Sequence, residues 1–227
     1  MINFNIRKHK NNSAFTMLEL VMVIVVIGII TSLAIPRYER DIRQEASTSI
    51  VSALKYTKHM ALTDNVTNPR DDKWQRAFWR FGIQKCSDNG IFYYIAADKS
   101  YGGNIDGSEY INDPANGLKM MGSNAKPCET EPNNGASPNI FLTKNYGIKD
   151  GGVTFTNCDP MSGPTSAKHI GFDYFGRTYR GFTGSDDPDY SSRVHTDCKI
   201  TFDFSNQDID SLNIIIESGT GYIYVEE

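Results

Sequence analysis

The spacing of apolar residues changes twice along the chain. Between Phe15 and Ile35 the only polar side chains are Thr16, Glu19, Thr31 and Ser32, with Gly28 neutral among them. As a helix this run is about 30 Å long, enough to cross a bilayer's hydrocarbon core. Arg7, Lys8 and Lys10 precede it and no basic residue lies inside it, which orients its N-terminus to the cytoplasm and the rest of the chain outward. After Pro36 the period becomes that of an amphipathic helix: Tyr38, Ile42, Ala46, Ile50, Ala53, Leu54, Thr57 and Ala61 recur three or four positions apart, with charges on the other face. The pattern predicts one helix from Phe15 to about Leu62, about 70 Å long, loosened at Pro36 and ended by Asn65 to Arg70 with Pro69.

From Trp74 onward the period is two. WQRAFWRFGI, IFYYIA, NIFL, VTFTNC, KHIGFDYF, RTYRGF, CKITFDF, LNIIIE and YIYVEE are short, rich in aromatic and β-branched residues, and separated by Gly, Asn, Asp and Pro. Strands without intervening helices predict an antiparallel sheet stack. The fold class is therefore α+β, a long N-terminal helix packed on a β-sandwich-like head. A Gly-, Asn- and Pro-rich stretch between Asp98 and Asn139 reads as a long loop, a length that is usually functional, stapled or disordered.

The 227 residues (25.4 kDa) accommodate one domain with an appended element. A hydrophobic fraction of 39% and a mean hydropathy of −0.42 exclude a polytopic membrane protein but leave room for a single span. Within that span Glu19 stands out. A carboxylate in hydrocarbon costs about 2.5–3.5 kcal/mol or more and is a functional hypothesis by default. The run contains no cation, but a cut before Phe15 would create an α-amino group four residues away, on the same helix face.

Ala14-Phe15-Thr16-Met17-Leu18-Glu19-Leu20 resembles the cleavage and methylation site of type IV pilins and pseudopilins, with Ala14 where most members have Gly. The resemblance implies a leader at 1–14, cleavage between Ala14 and Phe15 by prepilin peptidase, N-methylation of Phe15, and Glu19 and Pro36 as assembly residues. It implies a transmembrane and assembly helix over 15–36, an amphipathic continuation over 37–64, and a head over 65–227. The partners it implies are other pilin subunits and an inner-membrane assembly platform. The localisation it implies is single-pass in the bacterial inner membrane with a periplasmic head, filament-associated after assembly, and it calls for no cofactor. Ile170-Gly171-Phe172-Asp173-Tyr174-Phe175-Gly176-Arg177, and Leu212 to Ile216 followed by Gly219-Thr220-Gly221-Tyr222-Ile223, resemble minor pseudopilins of the GspH/FimT type. A competing signal-peptidase site at Ser32-Leu33-Ala34 would instead release a soluble periplasmic binding module.

Cys86, Cys128, Cys158 and Cys198 in an extracytoplasmic head read as disulfides, and none has CxxC spacing. Four cysteines allow three pairings. The favoured one joins Cys86 to Cys128, stapling the long loop, and Cys158 to Cys198, joining two strands. Each closes about 40 residues, worth about 3–4 kcal/mol in the chain-entropy model. Asp106, Glu109 and Asp113, or Asp186, Asp187 and Asp189, are candidate hard-oxygen ligands for calcium, with solvated turns as the plain alternative. No nucleophile elbow, phosphate loop or His-Glu-x-x-His is present, and His59, His169 and His195 are isolated on patterns of helix surface and strand edge, so an enzyme is not expected. Removing 1–14 takes Arg7, Lys8 and Lys10 with it and moves the net charge from −4 to −7. Only Arg177, Arg180 and Arg193 lie loosely together, which argues against direct nucleic-acid binding. A DNA-binding uptake receptor of the FimT kind is the remaining alternative.

Overall fold

A computed structural model describes residues 16–128, 135–158, 168–184 and 186–226, with the side chains of 33–41 outside that description. The chain divides into two compact units, Met1–Arg40 and Asp41–Glu227. Helix α1 spans Met17–Thr63 and runs through Pro36 as one element. In the first unit its apolar side chains from Met17 to Ile30 are all open, between 48% and 86% exposed. Among the described residues no helix is long and apolar enough to cross a membrane. The described side chains of the apolar run end at Ser32, ahead of Leu33, Ala34 and Ile35.

In the second unit the remainder of α1 is amphipathic in fact as well as in pattern. Ala46, Ile50, Ala53, Leu54, Thr57 and Ala61 are buried, and the Thr57 hydroxyl donates to the Ala53 carbonyl at 2.8 Å, so its burial leaves no orphan. The exit from α1 is a succession of Asx turns. Asn65 accepts the Thr67 N–H, Asn68 accepts the Arg70 N–H, and Asp71 accepts the Lys73 N–H, each offering the backbone an alternative to helix.

Two four-stranded antiparallel sheets follow. The strands are β1 (Trp79–Lys85), β2 (Ile91–Ala96), β3 (Ile148–Thr156), β4 (Lys168–Phe172), β5 (Thr178–Tyr179), β6 (Cys198–Phe204), β7 (Leu212–Ile216) and β8 (Ile223–Glu226). The first sheet runs β2-β1-β4-β5 and the second β3-β6-β7-β8. One core draws Ala46, Ile50 and Leu54 from α1, Phe81, Ile95 and Ile170 from the first sheet, and Ile200, Phe202 and Ile214 from the second. The α+β class with antiparallel sheets holds.

Three strand assignments are corrected. NIFL is not a strand: the Ser137 hydroxyl accepts the Asn139 N–H, Pro138 opens a 3-10 turn over Pro138–Ile140, and α2 (Leu142–Tyr146) follows, closed by Gly147 at φ 69°. Ile140, Phe141 and Leu142 are all buried, and so short an apolar run carries no period that separates strand from helix. WQRAFWRFGI begins as a 3-10 turn over Trp74–Ala77, and its strand starts at Trp79. RTYRGF contributes only Thr178–Tyr179 to β5.

The stretch from Asp98 to Asn139 is tied down where it is described. Bridges join Ala96 to Tyr110, Asn112 to Lys119 and Lys119 to Ala136, and a disulfide joins Cys86 to Cys128 across 42 positions. The second disulfide, Cys158 to Cys198, closes the end of the β3–β6 ladder just beyond the Thr156–Lys199 pair.

The turn after β4 and the turn before β8 interlock. Gly176 (φ 77°) and Gly221 (φ 61°) are both left-handed, and a Cβ on Gly221 would lie 2.1 Å from the Gly176 carbonyl oxygen. Gly221→Ala is expected to destabilise the head by about 2 kcal/mol or more, since clash and strain add. Gly219→Ala, with nothing within 4 Å of its Cβ, should stay within about 0.5 kcal/mol. Urea unfolding of the full chain in detergent measures both, and equal losses would contradict the close approach.

Candidate functional site

The N-terminal motif reaches the described residues at Thr16. Thr16 and Glu19 form a reciprocal capping box on α1. The Glu19 N–H donates to the Thr16 hydroxyl at 3.2 Å, while the Thr16 N–H and hydroxyl each donate to Glu19 Oε2 at 2.9 Å. The signature is Thr-x-x-Glu ahead of an apolar run, and the cap satisfies helix-end amides that would otherwise be orphaned in an apolar segment. Both bonds fall on Oε2, so Oε1 has no hydrogen bond among the described residues. Thr31 and Ser32 return their hydroxyls to the helix, to the carbonyls of Ile27 and Ile29. Glu19 is therefore the one ionised group in the described apolar run. Ala14 and Phe15, and the side chain of Pro36, lie outside the described residues.

The turn following β4 is held by one buried carboxylate. Asp173, 4% exposed, accepts the N–H groups of Phe175 and Arg177 on Oδ1 and the Arg177 guanidinium on Oδ2 at 2.6 Å. The Arg177 guanidinium lies 4.9 Å from the centre of the Phe175 ring, and Tyr174 and Phe175 stand open to solvent. A Cβ on Gly176 would meet Lys58 Cε at 2.7 Å, and Lys58 donates to the Thr220 carbonyl at 2.8 Å. The two head segments singled out from sequence, 170–177 and 219–223, thus meet one another and the amphipathic part of α1. Arg177 is committed to Asp173 rather than offered to a phosphate backbone.

The candidate calcium ligands do not converge. Glu109 accepts the N–H groups of Ser100 and Asp106, one on each oxygen. Asp113 is buried and accepts from the Ser137 hydroxyl (2.5 Å), the Ala115 N–H (2.9 Å), and the Asn139 and Asn116 side-chain amides (2.9 and 3.3 Å). Asp186 pairs with Arg76 at 2.9 Å and Lys73 at 3.6 Å, and Asp189 caps Ser191. Loop donors thus engage the carboxylates of Glu109, Asp113 and Asp189, and cationic side chains that of Asp186. Among the described residues the one metal-compatible grouping is Cys86, Asp88 and Cys128, and its two sulfurs are bonded to each other. Two histidines, His59 and His195, are exposed; His169 is not at a strand edge but buried on β4, its ring 5.3 Å from that of Phe182.

A family model described as the prokaryotic N-terminal methylation motif matches residues 9–35. The match includes Ala14, Phe15, Thr16 and Glu19, and it supports the type IV pilin and pseudopilin family for this chain. No curated protein and no solved structure matches the chain.

Burial opposes ionisation of Asp113, yet the bonds from Ser137, Ala115, Asn139 and Asn116 outweigh it and hold its carboxyl below the usual carboxylate range. Its stabilising contribution is therefore complete above the unfolded carboxyl's pKa and is lost as pH falls through the lower, folded value. Asp113→Ala should cost about 2–3 kcal/mol at neutral pH, because charge-assisted bonds are broken and their donors orphaned. The deficit should shrink on acidification. Urea unfolding between neutral and strongly acidic pH checks this, and a deficit independent of pH would contradict it.

Proposed function

We propose that this chain, carrying the N-terminal methylation motif of the type IV pilins and pseudopilins, is a minor pseudopilin of the GspH/FimT type, a subunit that assembles into or primes a periplasmic filament. Its work is assembly rather than catalysis. Prepilin peptidase cuts between Ala14 and Phe15, the new amine is methylated, and the subunit waits in the inner membrane on its apolar helix with the head in the periplasm. Extraction by the assembly platform moves that helix from lipid into a bundle of neighbouring subunits.

The observation that carries this reading is Glu19. It sits in a segment whose apolar side chains from Met17 to Ile30 are exposed, it caps its own helix through Oε2 alone, and Oε1 is available to a cation without dismantling the cap. The methylated amine of an adjacent subunit's first residue suits that position. Once the pair is desolvated, a Glu19 out of register is an uncompensated buried charge, so the pairing selects one axial stagger between subunits. The GspH/FimT subtype draws its support from the head, where the segments 170–177 and 219–223 that resemble that group are packed together.

Glu19→Ala is expected to insert and fold normally but to enter filaments about a hundredfold less well, because it leaves the amine unpaired and a lone charge in an apolar setting costs about 2.5–3.5 kcal/mol. Glu19→Gln separates the two roles of the side chain, because it keeps a capping acceptor and loses the charge. Cross-linking of full-length variants into filaments in cells is the measurement. Amine pairing predicts that Gln fails as Ala does, whereas normal incorporation of either variant contradicts it.

A further inference from the structure

The first sheet has a second face that the assembly reading does not use. Register sets Arg80 opposite Ala96 and Gly171, and Gly82 opposite Tyr94 and His169, so Arg80, Tyr94 and His169 share one face. Phe81, Tyr93 and Ile170 lie on the other, in the core that includes α1. Gly82 makes the shared face possible, because the Tyr94 ring lies across it, 2.2 Å from where a Cβ would be.

A loop over 98–105 roofs this face. The Asp98 carboxylate accepts the N–H groups of Gly102 (3.0 Å) and Gly103 (2.7 Å), and Arg76 donates to the Tyr101 carbonyl at 2.9 Å. Tyr101 itself is held at φ 59°, a conformation a bulky residue keeps only when its surroundings impose it. Beneath the roof is a chamber of about 270 Å³ with Arg80, Gln84, Tyr94, Asn104, Tyr110 and Thr183 among its walls.

Arg80 is 3% exposed. Its guanidinium has five N–H donors, yet its one hydrogen bond among the described residues is a long one, from Nη2 to the Arg76 carbonyl at 3.4 Å. The buried Nε has no partner. No carboxylate among the described residues forms an ion pair with it, because Asp98 and Glu109 are turned to loop amides. The Phe182 ring, 5.8 Å from Cζ, offers a weak cation–π contact. Burial pushes the Arg80 guanidinium below its ordinary value, against the opposing pull of Tyr94, Asp98, Tyr110 and Glu109. A buried cation with empty donors is costly unless an acceptor arrives to complete it.

We propose that this chamber is a binding site for a small monocarboxylate, gripped by the Arg80 guanidinium. The planar fork matches a carboxylate in a way that a point charge does not. A single negative charge fits better than two, because Asp98 and Glu109 already contribute negative potential at Arg80. The volume exceeds a bare carboxyl and leaves space for a few carbon atoms against the tyrosine rings, with Gln84, Asn104 and Thr183 as polar partners.

The test uses the full-length chain in detergent, titrated with sodium propionate, and with sodium phosphate and sodium chloride at matched ionic strength. Thermal unfolding and saturation-transfer NMR of the propionate methyl group are the readouts. Propionate should bind saturably and raise the unfolding midpoint as mass action requires, while phosphate behaves as chloride does. Arg80→Lys keeps the charge without the fork and should weaken propionate by about tenfold or more. Asn104→Trp, at an exposed position on the chamber wall, should obstruct entry without touching Arg80, and it decides the matter if Arg80→Lys fails to fold. The proposal is overturned by propionate that does no more than chloride, by phosphate that binds as tightly, or by undiminished binding in Asn104→Trp or a folded Arg80→Lys.

Discussion

The apolar part of α1 from Met17 to Ile30 has no partner in its own unit, and the remaining features of the N-terminal segment follow from that. Full burial of such side chains is worth about 1.5–3 kcal/mol each, so the run as a whole exceeds the about 5–15 kcal/mol that stabilises an entire domain. A chain with so much unburied apolar surface requires lipid or other helices. In such surroundings backbone groups at a helix end and a lone carboxylate are both expensive. The Thr16–Glu19 capping box meets both demands at once, using the carboxylate to satisfy amides while leaving one oxygen for a charge from outside.

The head solves a different problem, that of building a core beneath loops rich in Asn, Asp and Gly. Carboxylates substitute there for regular secondary structure. Asp98, Glu109 and Asp173 each gather two backbone N–H groups from their own loops, Asp113 gathers one with the Ser137 hydroxyl and two side-chain amides, and the two disulfides close loops of 42 and 40 positions over the same region. The bonds to Glu109 and Asp113 hold their carboxyls below the usual carboxylate range, so the stability these two add is lost as pH falls through the lower, folded values. The amphipathic half of α1, with the turns at Gly176 and Gly221 packed beside it, joins helix to sheet on one side of the head. The Arg80 chamber lies on the opposite face of the first sheet.

Much of this was legible in the residues. The apolar run and the buried positions from Ala46 to Ala61 follow from spacing alone, because helical period and hydrocarbon thickness leave little choice; the Thr16–Glu19 capping box was missed, although Thr-x-x-Glu ahead of an apolar run is its signature. The strands of the second sheet were legible because β6 alternates strictly in burial. NIFL was misread because three buried apolar residues carry no period, and Ser137 with Pro138, which do signal a helical turn, lie just outside the run. The acidic groups resembled ligands because a carboxylate that caps a loop and one that binds calcium have the same composition around them. Arg80 carried no signal at all, since a lone arginine in a strand becomes buried only when a loop beginning at Asp98 folds over it.

The central claim is that this chain is made as a precursor and becomes an assembly subunit when Phe15 is freed. The intact mass of the protein extracted from membranes, with N-terminal sequencing, tests it most directly in cells with and without prepilin peptidase. The account predicts a chain that begins at N-methylated Phe15 and appears only when the peptidase is present. A chain beginning at Ile35, or one still carrying residues 1–14 in both strains, would contradict it.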